Sequence, residues 1–385
     1  MRVLILHSRY LSGPISGENR VVEDEARLLR EAGHDVHVWA PEPDASGALG
    51  QLKVGVAAVW SRSSAAEVHW LVRRNKIQIV HVHNLFPMLS PAVLRAARHE
   101  GAAVLVTLHN YRLMCLPANL LRDGRVCETC VGHLPLAGIR HACYRDSRLG
   151  SAALAASLGL HRAIGTFSEV TRFLAVGEFV REKHIQAGIP ASQIAVKPNF
   201  TWEVATRRGP GDYFLFLGRL ATEKGVDTLL RAWPLVGREA RLVIVGDGPQ
   251  GEALRRAAPD GVEFRGEVPA AEVAAILGDA RALLVPSRWY EAAPRTIIEA
   301  YAAGVPVIAS RFGALPELVP ENVTGFLADP EDAEEWAHHV RALADDATSE
   351  HLGAGALARW LERYSPGQGL DGLEAAYQDA LREEA

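Results

Sequence analysis

The segment Pro286-Ser-Arg-Trp-Tyr-Glu-Ala-Ala-Pro-Arg-Thr-Ile-Ile-Glu-Ala300 places two carboxylates around the start of a predicted helix. Pro294 suits its first turn, where the missing N–H would be unpaired in any case. Glu291 then stands just before the helix and Glu299 two turns into it. A helix N-terminus carries a partial positive charge of about 0.5 and presents backbone N–H groups, a ready seat for phosphate. Carboxylates on either side accept hydrogen bonds from hydroxyls, so the pair matches a diphosphate with sugar at one end and ribose at the other. Read alone, the same residues are a capping glutamate and a solvated helix glutamate. Their neighbours favour the first reading.

Gly218-Arg219 ends a predicted strand, and Thr222-Glu223-Lys224-Gly225 follows it. Arg219 and Lys224 would neutralise a departing diphosphate without a metal ion. No Asp-x-Asp pair occurs anywhere in the chain, so a metal-bridged diphosphate is not expected. Val243 to Val245 runs into Gly246-Asp247-Gly248-Pro249, a glycine turn that lets backbone approach a ligand. A strand from Val262 to Phe264 leads to Arg265-Gly266, where edge backbone groups could read a base.

In the first half, the loop Ser12-Gly13-Pro14-Ile15-Ser16-Gly17-Glu18-Asn19 opens a helix whose N–H groups could meet the same diphosphate. A dinucleotide site needs G-x-G-x-x-G, and the loop has glycines only at 13 and 17. His109 follows the strand Val104 to Leu108 and is a candidate contact to the transferred sugar. His81 and His83, on the preceding strand, are expected to face opposite ways, with His83 nearer the strand's end. All four cysteines, Cys115, Cys127, Cys130 and Cys143, fall in an insertion-like stretch at 111–148. Cys127-Glu-Thr-Cys130 has the spacing that presents two thiolates to one Zn²⁺, and the other two would complete a structural tetrahedral site. His133 and His141 are substitute ligands, and unliganded or reversibly oxidised thiols are the other reading. Arg112, Arg122, Arg125, Arg140, Arg145 and Arg148 share this stretch and would suit an anionic acceptor or a phospholipid surface, or simply face solvent.

These groups need elements to hold them. With 385 residues, 48% of them hydrophobic and 23% charged, the chain can bury two cores. Val3 to Leu6, a glycine-bearing loop, a helix ended by Gly33 and a strand from Asp35 to Ala40 make one βαβ unit, which implies a parallel sheet. Strands at Ile77 to Val82 and Val104 to Leu108 continue it, with a helix from Ser90 to His99 between them. Turn formers gather from Asn199 to Asp212, and a second series of short apolar strands follows at 213–217, 241–245, 262–264, 282–285 and 305–309. The predicted organisation is a domain at 1–200, a second at 201–365 and a final helix at 366–385 that packs on either. Two doubly wound sheets would enclose a cleft at the carboxyl ends of their strands. The net charge of −5 argues against a nucleic-acid partner, and a zinc-finger DNA binder would leave most of the chain unexplained. No apolar run approaches the roughly 20 residues of a membrane span, so a cytoplasmic protein with at most peripheral membrane contact is expected.

The ordered motifs of the second half are Gly218-Arg219-Leu220 with Glu223-Lys224-Gly225, Gly246-Asp247-Gly248-Pro249, Pro286-Ser287, the two glutamates, and Glu299-Ala300 leading to Gly304-Val305-Pro306-Val307. Together they resemble the retaining GT-B glycosyltransferases of the large family 4-like group that contains bacterial mannosyltransferases and sucrose synthases. The resemblance implies two Rossmann-like domains facing a central cleft and a nucleotide-diphosphate sugar as donor, UDP-sugar favoured and GDP-sugar admitted, with an unidentified acceptor. It implies catalytic roles for His109, Arg219, Lys224 and Glu291. Donor contacts would come from Gly17, Gly218, Gly246, Arg265, Arg295, Thr296 and, at the ribose, Glu299, with Asn199 an interdomain residue. Ala293-Pro294 depart from the aromatic-glycine pair common at that point, so no backbone donor is carried over at Pro294. The anomeric configuration would be retained by front-face attack, with the departing phosphate taking the acceptor's proton. A nucleotide-sugar epimerase of the same fold and a non-catalytic sugar binder are the alternatives.

Overall fold

A computed structural model describes residues 1–9, 17–42, 54–237 and 240–384. The anion-loop reading of Ser12 to Ser16 falls outside them. The chain divides into two compact units, one of Met1–Arg122, Cys127–Pro198 and Gly369–Ala385, the other of Asp123–Val126 and Asn199–Gln368.

In the first unit a parallel six-stranded sheet comprises β1 (Arg2–His7), β2 (Asp35–Trp39), β3 (Ile79–Asn84), β4 (Ala103–Leu108), β7 (Arg172–Ala175) and β8 (Ile194–Val196), in the order β2-β1-β3-β4-β7-β8. A small two-stranded ribbon, β5 (Leu121–Arg122) with β6 (Arg125–Val126), interrupts the numbering. Parallel strands are covered on both faces, which is why β1 and β4 read as unbroken apolar runs and are buried from Val3 to Leu6 and from Ala103 to Leu108. The helix Pro366–Glu383 enters this unit from Gly369 onward. There Tyr377 is fully buried and Glu374 Oε1 lies 2.7 Å from His34 Nε2.

The second unit carries β9 (Tyr213–Leu217), β10 (Leu242–Val245), β11 (Val262–Gly266), β12 (Ala280–Val285), β13 (Val307–Ser310) and β14 (Gly325–Ala328), all parallel, in the order β11-β10-β9-β12-β13-β14. Alternate residues along a strand point to opposite faces. Phe214, Phe216, Leu242 and Ile244 accordingly pack with Trp233 and Trp336, while Leu215, Val243 and Leu283 pack with Ile297, Tyr301 and Trp360. Strand order reverses between β1 and β3 in the first sheet and between β9 and β12 in the second. Those are the places where open α/β sheets leave a ligand crevice beyond their carboxyl ends. No helix among the described residues is long and apolar enough to cross a membrane.

Candidate functional site

At the reversal point of the second sheet, the loops leaving β9 and β12 are pressed together. The Arg288 N–H donates to the Glu223 carbonyl at 2.8 Å. Gly225 adopts φ +67°, and a Cβ there would collide with the Pro286 carbonyl oxygen, so only glycine lets the two backbones meet. This approach carries Lys224 to Glu291: Nζ donates to Oε1 at 2.6 Å, and the Ser287 hydroxyl donates to the same oxygen at 2.7 Å. Lys224 Nζ also lies 5.1 Å from the centre of the Trp289 ring. Glu291 is 6% exposed. Burial by itself would raise its carboxyl, but the Lys224 charge and the hydrogen bonds from Lys224 and Ser287 outweigh it and hold the group below its ordinary range.

Gly246 plays the corresponding part between β9 and β10, where a Cβ would strike the Gly218 carbonyl. Arg219, at the same edge, is exposed and forms no ion pair among the described residues. The helix after Glu291 starts at Arg295, with Pro294 at its N-cap rather than in its first turn. Glu299 is therefore one turn into the helix, not two, and on the face of Arg295, whose Nε lies 3.4 Å from Glu299 Oε1. Thr296, beside Arg295, is partly exposed. Arg265 stands apart from this group: it pairs with Glu263 at 2.8 Å and lies over the ring of Tyr213, which begins β9 at the other end of the sheet. Asn199 opens the second unit as a buried side chain whose Oδ1 has no hydrogen-bond partner.

In the first unit, β3 runs two residues further than the apolar run suggested, to Asn84, and takes His83 with it. Residues two apart on a strand share a face, so the expectation that His81 and His83 face opposite ways is wrong. Their rings lie 4.3 Å apart, and both face Glu25 of the helix Gly17–Glu31. Glu25 Oε1 accepts a hydrogen bond from the Lys197 ammonium. His81 Nδ1 lies 2.8 Å from the Tyr377 hydroxyl and its Nε2 2.7 Å from Thr107 Oγ1. His83 Nδ1 is 2.9 Å from Nε2 of His109, which follows β4. Gly17 begins the helix whose next residues tie the strand ends together: Asn110 Nδ2 donates to Glu18 at 2.6 Å, and His7 lies 2.7 Å from Asn19.

Nothing in the one-dimensional pattern marked Glu25, Lys197 or Tyr377 as partners of these histidines. The available signal was the two-residue spacing of His81 and His83, with Glu25 as a charge on the helix's apolar stripe. Glu25, His81 and His83 have the donor set of a metal site. However, Glu25 already holds an ammonium and both His81 nitrogens have hydrogen-bond partners.

The cysteines do not assemble as a four-sulfur zinc centre requires. Cys115 is buried, and burial raises its thiol although backbone groups of Leu120, Asn119 and Ala118 at the sulfur partly offset the effect. Burial also raises Cys130, which has Cys127 nearby. Cys127, Cys130 and Cys143 are only partly buried. Among the described residues, the groups of three or more metal-binding side chains with ligand atoms within 4.8 Å of one another are Glu25, His81 and His83, and His69, His99 and Glu100. No cysteine belongs to either, so the residues as placed do not fit the metal.

Residues 15–201 match the family described as Glycosyltransferase Family 4, and residues 211–346 match Glycosyl transferases group 1. The chain belongs to the family 4-like glycosyltransferases and has the GT-B fold. A GDP-mannose-dependent alpha-(1-6)-phosphatidylinositol monomannoside mannosyltransferase of Mycolicibacterium smegmatis is 32% identical over 211 residues, which are 48% of this chain and 55% of that protein. The chain thus matches little more than half the length of that curated relative. Among solved structures, Anabaena HepE with bound UDP superposes with a TM-score of 0.67 at 18% identity, covering 98% of this chain and 100% of that one. Sucrose-phosphate synthase from Thermosynechococcus elongatus gives 0.70 at 18%, covering 98% and 99%.

Proposed function

We propose that the protein transfers a sugar from a nucleotide-diphosphate sugar to an acceptor with retention of anomeric configuration, and that its own cations, not a metal, stabilise the leaving diphosphate. The observation that carries this reading is the Lys224–Glu291 pair at the reversal point of the second sheet, with exposed Arg219 in the same loop after β9. A lysine held at 2.6 Å by a carboxylate and an arginine with no ion pair among the described residues would form an anion seat at strand ends, where developing negative charge is best stabilised. Arg295 and Thr296 add the N-terminus of their helix. Glu291 is the sugar-hydroxyl acceptor and Glu299 the ribose contact. Of the donor bases, similarity to a GDP-mannose-dependent relative favours guanine over the uracil expected from motifs alone.

The acceptor side has its own support. The helix Arg148–Ala163 leaves Leu149, at 84% exposure, and Leu160 uncovered, and Leu134 and Leu136 are exposed just before it. Arg140 and Arg145 with Arg148 border these side chains in sequence. Apolar side chains rimmed by arginines suit an anionic lipid surface, and a peripheral encounter with a membrane-borne acceptor follows.

Incubation of the full chain with GDP-mannose or UDP-glucose, with and without polyprenyl phosphate or phosphatidylinositol, tests the assignment. A transferase releases nucleoside diphosphate and builds a glycoside only with acceptor present. Conversion of the nucleotide sugar without acceptor shows an epimerase, and binding with no turnover of any donor shows a sugar-binding protein.

A further inference from the structure

We infer that His69, His99 and Glu100 form a binding site for a zinc-class divalent cation, and that the bound ion clamps the helix Arg62–Asn75 to the end of the helix Ala92–His99. The site lies within the first unit and is independent of the proposed glycosyl transfer.

Two packed helices bring the three side chains together. Val68 and Val72 are the buried stripe of the first helix, and Val93, Leu94 and Ala97 that of the second. The Ser64 hydroxyl donates to the Met88 carbonyl at 2.9 Å, just ahead of the second helix. His69, next to Val68, stands at the margin of the buried stripe, with Arg73 one turn further on. His99 ends the second helix, and Glu100 is its C-cap. The Glu100 side chain is only 13% exposed, which holds its carboxylate in place, whereas that of His99, at 79%, is open to solvent. Glu100 precedes β4 and His109 follows it, so six residues of strand, about 20 Å, separate the cluster from that end of the sheet.

Glu100 Oε1 is the common point. His69 Nδ1 lies 2.9 Å from it and His99 Nδ1 3.4 Å. The ligand atoms of all three residues lie within 4.8 Å of one another. A tetrahedral zinc ion with bonds of about 2.1 Å sets neighbouring ligand atoms about 3.4 Å apart, so small side-chain rotations admit the ion. Glu25, His81 and His83 offer the same donor types, but there the carboxylate already carries the Lys197 ammonium. At Glu100 the neighbouring cation, Arg73, stands 3.5 Å from the other oxygen, Oε2, and leaves Oε1 to the two rings. Two imidazole nitrogens and one carboxylate oxygen select zinc and its late first-row neighbours over Mg²⁺ or Ca²⁺, which take oxygen ligands. Water supplies the fourth ligand on the open side of His99.

The full chain, stripped with EDTA and dialysed, is titrated with ZnCl₂ by equilibrium dialysis while its melting temperature is followed in parallel. His99→Ala is the first variant, because so exposed a side chain can be removed without disturbing the core. The parent is expected to bind one zinc ion more tightly than His99→Ala or His69→Ala by at least about 10-fold. Its melting temperature should rise with zinc while those of the two variants stay level. MgCl₂ should shift none of them. Co²⁺ in place of zinc should give visible d–d bands without sulfur-to-metal charge transfer, which separates this site from the thiols. Parent-level affinity in both histidine variants, cobalt–thiolate absorption alone, or no zinc binding by the parent overturns the site. Glu100→Gln keeps the shape and loses the charge, so undiminished affinity there overturns the three-ligand site. Binding that leaves the parent's melting temperature unchanged overturns the clamp.

Discussion

Lys224 and Glu291 lie 67 residues apart in sequence, yet their charged atoms meet at 2.6 Å because glycine at 225 lets two loop backbones touch. The pair is a structural tie in which the two charges offset each other. On the proposed function, an incoming diphosphate would offer Lys224 new acceptors and leave Glu291 available to a hydroxyl. Lys224→Met and Glu291→Gln are each expected to lower kcat/KM by about 10²–10³-fold, with the far-UV circular dichroism of the parent. A folded variant of either kind that turns over donor at close to the parent rate would remove the pair from the site.

Gly225→Ala should be costly for a reason unrelated to ligand contact. Its Cβ meets the Pro286 carbonyl and its φ is +67°, so a loss of about 2 kcal/mol or more is expected in urea unfolding. Gly278→Ala is the control: it ends a helix, an added Cβ has nothing within 4 Å, and stability should stay level or rise by up to about 1 kcal/mol. Equal behaviour of the two variants would refute the close approach.

Acid should weaken the first unit before carboxylates begin to protonate. Burial lowers His184 to about 4 and His81 to about 3. The folded state keeps these rings neutral while the unfolded chain binds protons below about pH 6.5. Their contribution is therefore complete above that pH and is lost as pH falls toward the folded values. In His184→Leu, the fall in unfolding free energy between pH 6 and pH 5 should be shallower by roughly 1 kcal/mol. An unchanged slope would mean that His184 titrates alike in both states.

Leu149→Glu with Leu160→Glu should abolish co-sedimentation with vesicles containing phosphatidylglycerol and leave the melting temperature unchanged, because both side chains are exposed. Binding of the parent should fall steeply with salt if the arginines contribute. A parent chain that ignores such vesicles at low salt would exclude the lipid-facing reading.

Both sheets were legible because strands covered on two faces leave apolar runs ending in glycine, as at Gly218 and Gly246. β7, β8 and β14 escaped notice; they are three or four residues long, as β10 and β13 are, but lack those strands' unbroken apolar run beside a glycine turn. The residues around Lys224 were readable because each sits at a strand end beside a turn signal. Arg265 was misplaced since its position at a strand end says nothing of the direction its side chain takes, and Tyr213 and Glu263 draw it away. The Glu25–His83–His109 chain joins a helix and two strand ends, so no local pattern contains it. The cysteine spacing suggested a ligand set, but spacing cannot tell whether a thiol is turned inward, as Cys115 is.

Tyr377 and Glu374 come from the last helix yet complete the interior of the first sheet. During synthesis, the second unit's residues through Gln368 have all been made before that helix exists. The first unit therefore closes only after the second unit's residues have been made, and His81 must wait for the helix that follows them to supply its phenol neighbour.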